Sequence, residues 1–194
     1  MKKKLVLSLL VIVALFTFTA CGSKENGKDN KVDNNVSKDV TEKKESKEEL
    51  VYEDTNHGYK TTFKYNKDDF VITKSGISSN TNLNEVYLES KNLDINMRLS
   101  YTFYDHAKAY SSMKASKKSL PTYKEYTWNG IEGFMYGMGE NYITFMIPLE
   151  LNTSDELILT VLITPLTNPK DSVLKVAQGS TIQDFLNTIV YEKK

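Results

Sequence analysis

The chain is poor in the residues that most often mark a chemistry. Cysteine occurs once, as Cys21, and tryptophan once, as Trp128. Arg98 is the only arginine, and histidine occurs only as His57 and His106. A single thiol excludes an intrachain disulfide and a cysteine-rich metal centre. The two histidines lack the HxxxH type of spacing that places two ligands on one helix face. Charge of one sign is not in excess either. The 25 basic and 25 acidic side chains cancel, which leaves no electrostatic footprint for a nucleic acid. Gly179-Ser180 lacks the flanking pattern of a nucleophile elbow. Gly137-Met138-Gly139 has no following helix or Lys-Ser/Thr pair to make a phosphate loop. Asp68-Asp69 and Asp155-Glu156 are adjacent acids in expected turns, whereas an acid–base pair needs two carboxyl groups facing across a cleft. No catalytic residue, metal ligand or cofactor is therefore expected.

What the chain has is a sharp change of composition along its length. Lys2, Lys3 and Lys4 precede a run from Leu5 to Phe18 that is apolar except for Ser8 and Thr17. That run suits the apolar region of an export signal and falls short of the roughly 20 residues a spanning helix needs. Phe18-Thr19-Ala20-Cys21-Gly22 resembles the lipobox of bacterial lipoprotein precursors, with Phe18 standing where Leu is more usual. The resemblance implies a signal peptide over 1–20 and a diacylglyceryl group on Cys21, with palmitate-type chains. It also implies attachment to the extracytoplasmic face of the cell membrane. Two chains matter physically, because one alone gives only marginal attachment.

Residues 21–50 form the lipidated cysteine and a charged tether. From Gly22 to Leu50 there are no aromatic residues, and the only large apolar ones are Val32, Val36, Val40 and Leu50. Lysines alternate with Asp and Glu, so the segment cannot bury enough apolar surface to offset its chain entropy. It is expected to be disordered and to hold a domain off the membrane.

Residues 51–194 read as a single domain. All 12 tyrosines lie here. Tyr59, Thr61, Phe63 and Tyr65 alternate with polar residues, and Phe70 to Thr73 reads as a return strand after the turn at Asn66-Lys67-Asp68. Glu85 to Glu89 is a short strand. Leu93 to Phe103 alternates strictly, with one apolar and one wet face. Asp105 is placed to cap a helix running to about Lys118, ended by Pro121. Asn129-Gly130 between Tyr123–Trp128 and Ile131–Tyr136 is the strongest short hairpin signal. Tyr142 to Leu149 follows, with Pro148 marking a bulge or edge. Leu157 to Thr164 is nearly all apolar, as in a strand buried on both faces. Ile182, Phe185, Leu186, Ile189 and Val190 recur at helical spacing, which predicts a terminal amphipathic helix.

This order, a hairpin, a long strand, a helix, a meander and a helix, gives an α+β class: an antiparallel sheet flanked by helices. The Asn129-Gly130 hairpin feeding a meander and a terminal helix looks like the Mog1/PsbP-like α/β/α sandwich. The alternative is another small lipoprotein sheet-and-helix module, such as a LolA-like half-barrel. No functional residue is carried over from either.

One feature suggests binding. Tyr101, Tyr104, Tyr110, Tyr123, Tyr126, Trp128, Tyr136 and Tyr142 crowd into a short stretch. Tyr and Trp offer large amphipathic contact area and are enriched in binding hot spots. Tyr126, Trp128 and Tyr136 around the hairpin are the candidate binding patch, if they face solvent. The expected function is a non-catalytic binding or accessory module for an envelope protein or small ligand. The alternative is an enzyme or accessory subunit whose site assembles from scattered residues.

Overall fold

The computed structural model of the chain describes residues 47–54, 58–77, 84–167 and 169–193. The signal segment, Cys21, the tether up to residue 46 and His57 lie outside the described residues. The folded residues belong to one compact unit, 43–194. Its first strand, β1, spans Lys47–Asp54, so the fold begins four residues before the expected boundary at 50–51. Leu50 and its neighbours pair in register with β2, and strand pairing recruits them despite their charged composition.

Among the described residues, nine further strands and three helices follow: β2 (Tyr59–Asn66), β3 (Val71–Ile77), β4 (Asn84–Ser90), β5 (Ile95–Tyr104), α1 (Ala109–Lys117), β6 (Lys124–Trp128), β7 (Ile131–Gly137), β8 (Ile143–Leu151), β9 (Glu156–Pro165), α2 (Val173–Gln178), α3 (Ser180–Asn187) and β10 (Val190–Lys193). They build two antiparallel sheets. The smaller has the order β1-β2-β10 and the larger β3-β4-β5-β9-β8-β7-β6. The chain is thus α+β and mostly antiparallel sheet.

The expected pairing of β2 with the strand after it does not occur. Asn66 accepts backbone bonds from the amides of Asp69 and Phe70, and this turn carries the chain out of the small sheet into the edge of the large one. Phe70, at the crossing, is buried and packs 5.5 Å from Phe185. The terminal helix is also shorter than its apolar spacing suggests. Ile182, Phe185 and Leu186 are buried on α3, but the helix stops at Asn187. Ile189 is buried beyond it, while Val190 is exposed and opens β10 on the other side of β2.

The main core lies on one face of the large sheet. Ile95, Met97, Leu99 and Tyr101 of β5 meet Phe145 of β8 and Leu159 of β9 there, under Phe63 of β2 and Phe185 of α3. The Phe63 and Phe185 rings stack at 5.2 Å. The opposite face has a smaller cluster, Phe134, Met146 and Ile158, covered by Tyr110 of α1. Helices therefore flank both faces of the large sheet, with the small sheet sharing the main core.

Helix α1 does not start on Asp105. Lys108 takes the N-cap position in the left-handed region (φ 70°), with no side-chain cap of its own. Glu156 at the start of β9 supplies the cap instead: its two carboxylate oxygens accept from the Lys108 and Tyr110 amides, each at 2.6 Å. Charge-assisted bonds of this kind are about twice as strong as neutral ones, and the left-handed lysine costs about 1–2 kcal/mol. The second acid of Asp155-Glu156, expected to be solvated in a turn, is thus buried and structural.

Candidate functional site

The hairpin at Asn129-Gly130 forms with both turn residues at positive φ (46° and 80°) and Trp128 paired with Ile131, which is the two-residue turn geometry. Its aromatic residues, however, do not make a patch. Strand alternation sends Tyr126 and Trp128 to the core face and Tyr136 to the opposite one. Trp128 is only 1% exposed. Its indole stacks on Tyr126 at 5.2 Å and meets Phe145 edge-on at 5.5 Å. Its Nε1 donates to Gln183 Oε1 at 2.9 Å, which ties the hairpin to α3. Gly133 across the hairpin leaves room for the ring; a Cβ there would fall 2.7 Å from the indole and 2.6 Å from the Met146 carbonyl. Trp128 is a lid on the core, because a strand end packed against α3 buries whatever side chain points inward. Tyr126 is half-buried, with its hydroxyl enclosed and lacking a hydrogen-bond partner.

Tyr136 has a different setting. It is half-buried at the margin of α1, 5.9 Å from Phe134, with Lys117 Nζ over its ring at 5.1 Å. Nearby, Tyr123 donates to Glu125 at 2.7 Å, and Glu125 also pairs with Lys114 at 2.9 Å. Burial, then the Glu125 carboxylate, push the Tyr123 phenol up to about 12. Lys114 and Tyr123 together hold Glu125 below its ordinary value.

Helix α1 has nine residues and covers one end of its face of the large sheet. Most side chains on the rest of that face are exposed or half-exposed, with Thr144 and Glu85 buried among them. Strand register lines them up in a row across six strands: Lys74 opposite Tyr87, Tyr87 opposite Arg98, Arg98 opposite Leu162, Leu162 opposite Thr144, and Thr144 opposite Tyr136. With strands about 4.8 Å apart, the row is about 24 Å long. A bulge between Ile72 and Lys74 makes it possible. Ile72 packs on the core, and without the extra residue Lys74 would point the same way. Asn96, Ser100, Thr160 and Thr164 flank the row and are half-exposed.

Arg98 sits near its middle, with 40% of its side chain exposed. Its Nη1 lies 3.8 Å from Glu85, and Glu85 accepts from the Tyr87 hydroxyl at 2.9 Å. Arg98 Nε is buried and has no hydrogen-bond partner. The fold thus holds a half-exposed guanidinium beside a buried carboxylate on this side of the sheet. The period-two pattern of β5 marked this side as wet, but neither Tyr87 nor Lys74 carried a signal. Their place in the row depends on a bulge and on register.

A second concavity lies where the end of β2 meets α3. Its rim carries Lys64, Asp69, Ser180 and Asp184, over a floor of Phe70 and Phe185. At about 260 Å³ it is below the usual range for small-molecule pockets, roughly 300–1,000 Å³. His106 is exposed and pairs with Asp105 at 3.2 Å. Among the described residues, no group of three or more His, Cys, Asp or Glu side chains is arranged to hold a metal ion.

No family model matches the chain, and no curated protein matches it. Among solved structures it is similar to a crystal structure of a protein from Bacteroides thetaiotaomicron, with 11% identity and a TM-score of 0.44 over 69% of this chain. The chain spans 46% of that protein's length.

Proposed function

We propose that the protein is a lipid-anchored module of the cell envelope that works by binding rather than catalysis, and that the open face of the large sheet is its binding surface. The anchor part rests on the apolar run Leu5 to Phe18 ending at Cys21, the only thiol. The finer fold reading, a Mog1/PsbP-like α/β/α sandwich, draws support from the helices on both faces of the large sheet. The observation that carries the functional reading is the cross-sheet row from Lys74 to Tyr136, with the half-exposed Arg98 paired to Glu85 near its centre. Two rings, two cations and a set of hydroxyl and amide groups sit there on strands, and Lys117 of α1 stands over one of the rings. That is the composition of a contact surface: aromatic area for affinity and polar groups for orientation.

Co-sedimentation with isolated cell envelopes tests this reading, using Cys21→Ser protein so that lipid does not retain it. The protein should pellet with envelopes, and Tyr87→Ala/Arg98→Gln should remain in the supernatant while keeping the wild-type melting temperature. Equal retention of the two proteins would overturn the choice of face. Failure of both to pellet would overturn the binding role. Localisation is read separately: Cys21→Ala should leave the membrane fraction or accumulate as an unprocessed precursor.

A further inference from the structure

We infer that Asn129 is a deamidation site which the fold holds in check, and that its conversion to an acid loosens the C-terminal strand. The inference is independent of the binding role proposed above. Three observations carry it. The first is the dipeptide and its setting. Asn129 and Gly130 are both exposed at the tip of the β6–β7 hairpin, and a Cβ added at Gly130 would meet nothing within 4 Å. The reaction is an attack by the Gly130 backbone nitrogen on Asn129 Cγ, and glycine has no side chain to hinder it. A C–N bond forms, the bond from Cγ to Nδ2 breaks, and the proton lost from the Gly130 nitrogen leaves with the departing group as ammonia. Water then opens the succinimide at either carbonyl, to aspartate or to isoaspartate.

The second is the conformation that opposes this attack. Positive φ at both residues, 46° and 80°, marks the two-residue turn in which both centres are left-handed. There the Gly130 nitrogen lies on the far side of the Cα–C bond from Asn129 Cβ, whereas ring closure brings the two to the same side. The side chain is held as well, since Asn129 Nδ2 donates to the Ile189 carbonyl at 2.6 Å. Attack therefore waits for the turn to open, and its rate follows the population of the opened hairpin.

The third is what the product does. Ile189 is buried at the corner between α3 and β10. Strand β10 has four residues and lies at the edge of the small sheet, against β2. A carbonyl only accepts, so a carboxylate at position 129 has no hydrogen to give Ile189 and turns a negative charge toward its oxygen. Isoaspartate also lengthens the backbone of a turn that fits two residues. The tie at the entry to β10 is then lost. The ladder to β2 remains, with the ion pairs Lys60–Glu192 at 3.7 Å and Lys193–Glu150 at 3.0 Å.

The test is peptide mapping by mass spectrometry of the full chain, with Cys21→Ser to keep it in solution. It is aged in mildly alkaline buffer beside a synthetic peptide of residues 125–133. The account expects Asn129 to deamidate at least tenfold more slowly in the protein than in the peptide, and at matching rates when both are in concentrated urea. Hydrogen exchange then reads the consequence. Asn129→Asp should speed exchange of the β10 amides at least tenfold and leave those of β9 as in wild type. If that variant does not fold, Asn129→Gly, which suits the positive φ and removes only the side chain, should show the same faster exchange in β10. Equal rates in protein and peptide in buffer, no conversion of the protein in urea, or unchanged β10 exchange in the variant would each overturn the inference.

Discussion

Replacing Trp128 by Ala separates the core from the surface more sharply than any other single change. The indole is almost wholly enclosed, and its removal deletes the stack on Tyr126 and the edge contact with Phe145. Truncations of buried aromatic residues cost about 3–5 kcal/mol. The change also strands the Gln183 oxygen that accepts from Nε1, and an unsatisfied buried acceptor costs about 1–3 kcal/mol more. The other end of Gln183 stays occupied, since its Nε2 donates to the Ala177 carbonyl at 2.7 Å, so the side chain cannot swing away without a second loss. The expected total is about 4–8 kcal/mol, a large share of the 5–15 kcal/mol that holds a typical domain folded. For a unit of this size, each kcal/mol lowers the melting temperature by roughly 2–4 °C. Urea unfolding followed by far-UV circular dichroism is the assay, because the variant has no tryptophan to report. Trp128→Phe keeps a ring in the site and should lose about half as much. If Trp128→Ala unfolds within about 1 kcal/mol of wild type, the indole is not a core lid and the placement of the hairpin on α3 is wrong.

Other substitutions test neighbouring parts of the account. Glu156→Ala removes both acceptors at the start of α1 and should destabilise by roughly 3–6 kcal/mol, since bonds to charged groups contribute about 1.5–3 kcal/mol each. Faster amide exchange at Lys108 and Tyr110 would accompany it, and unchanged exchange would contradict the cap. Gly133→Ala drives a methyl group into the indole and the Met146 carbonyl and should cost about 1–3 kcal/mol or more in denaturant unfolding, as overpacking does. Glu150 is turned inward by the bulge between Pro148 and Glu150 and lies 3.0 Å from Lys193 on β10. Burial raises its pKa, but Lys193, Tyr191 and Asn152 together outweigh burial and hold the carboxyl below its ordinary value. A depressed carboxyl stabilises above its unfolded pKa and loses that contribution as pH falls through the folded one. Lys193 is largely exposed, so the effect should be below about 1 kcal/mol. The gap in melting temperature between wild type and Glu150→Gln should close between pH 7 and pH 3, and a gap that widens in acid would refute it.

What could be read from the sequence was local, and what could not was long-range. The alternation of β5 and the Asn129-Gly130 turn are fixed by neighbours in the chain, and each is where its pattern puts it. The apolar run of β9 does form a strand, but it is not buried on both faces throughout, because Thr160, Leu162 and Thr164 lie half-exposed beyond the end of the face that α1 covers. The direction of Trp128 is not local. Beside a turn, an inward and an outward indole have the same sequence, and only α3, more than fifty residues on, decides between them. Two bulges, after Ile72 and after Pro148, reverse the facing of Lys74 and Glu150, which simple period-two counting puts on the wrong side. The pairing of β2 with β1 and β10 joins the two ends of the folded unit, and no pattern near Tyr59–Asn66 announces it. The open face was half legible. Asn96, Arg98, Ser100 and Thr102 read as a wet side, but their assembly with Tyr87 and Tyr136 exists only in the register of six strands.

The claim on which the rest depends is that this open face meets its ligand in the cell. A photoreactive benzophenone side chain placed at Leu162, in the middle of the row, tests it directly, with the same group at Glu192 on β10 as the comparison. On irradiation of intact cells, adducts should form from position 162, disappear when Tyr87→Ala is added, and be absent from position 192. Equal labelling at both positions, or none at 162, would contradict the account.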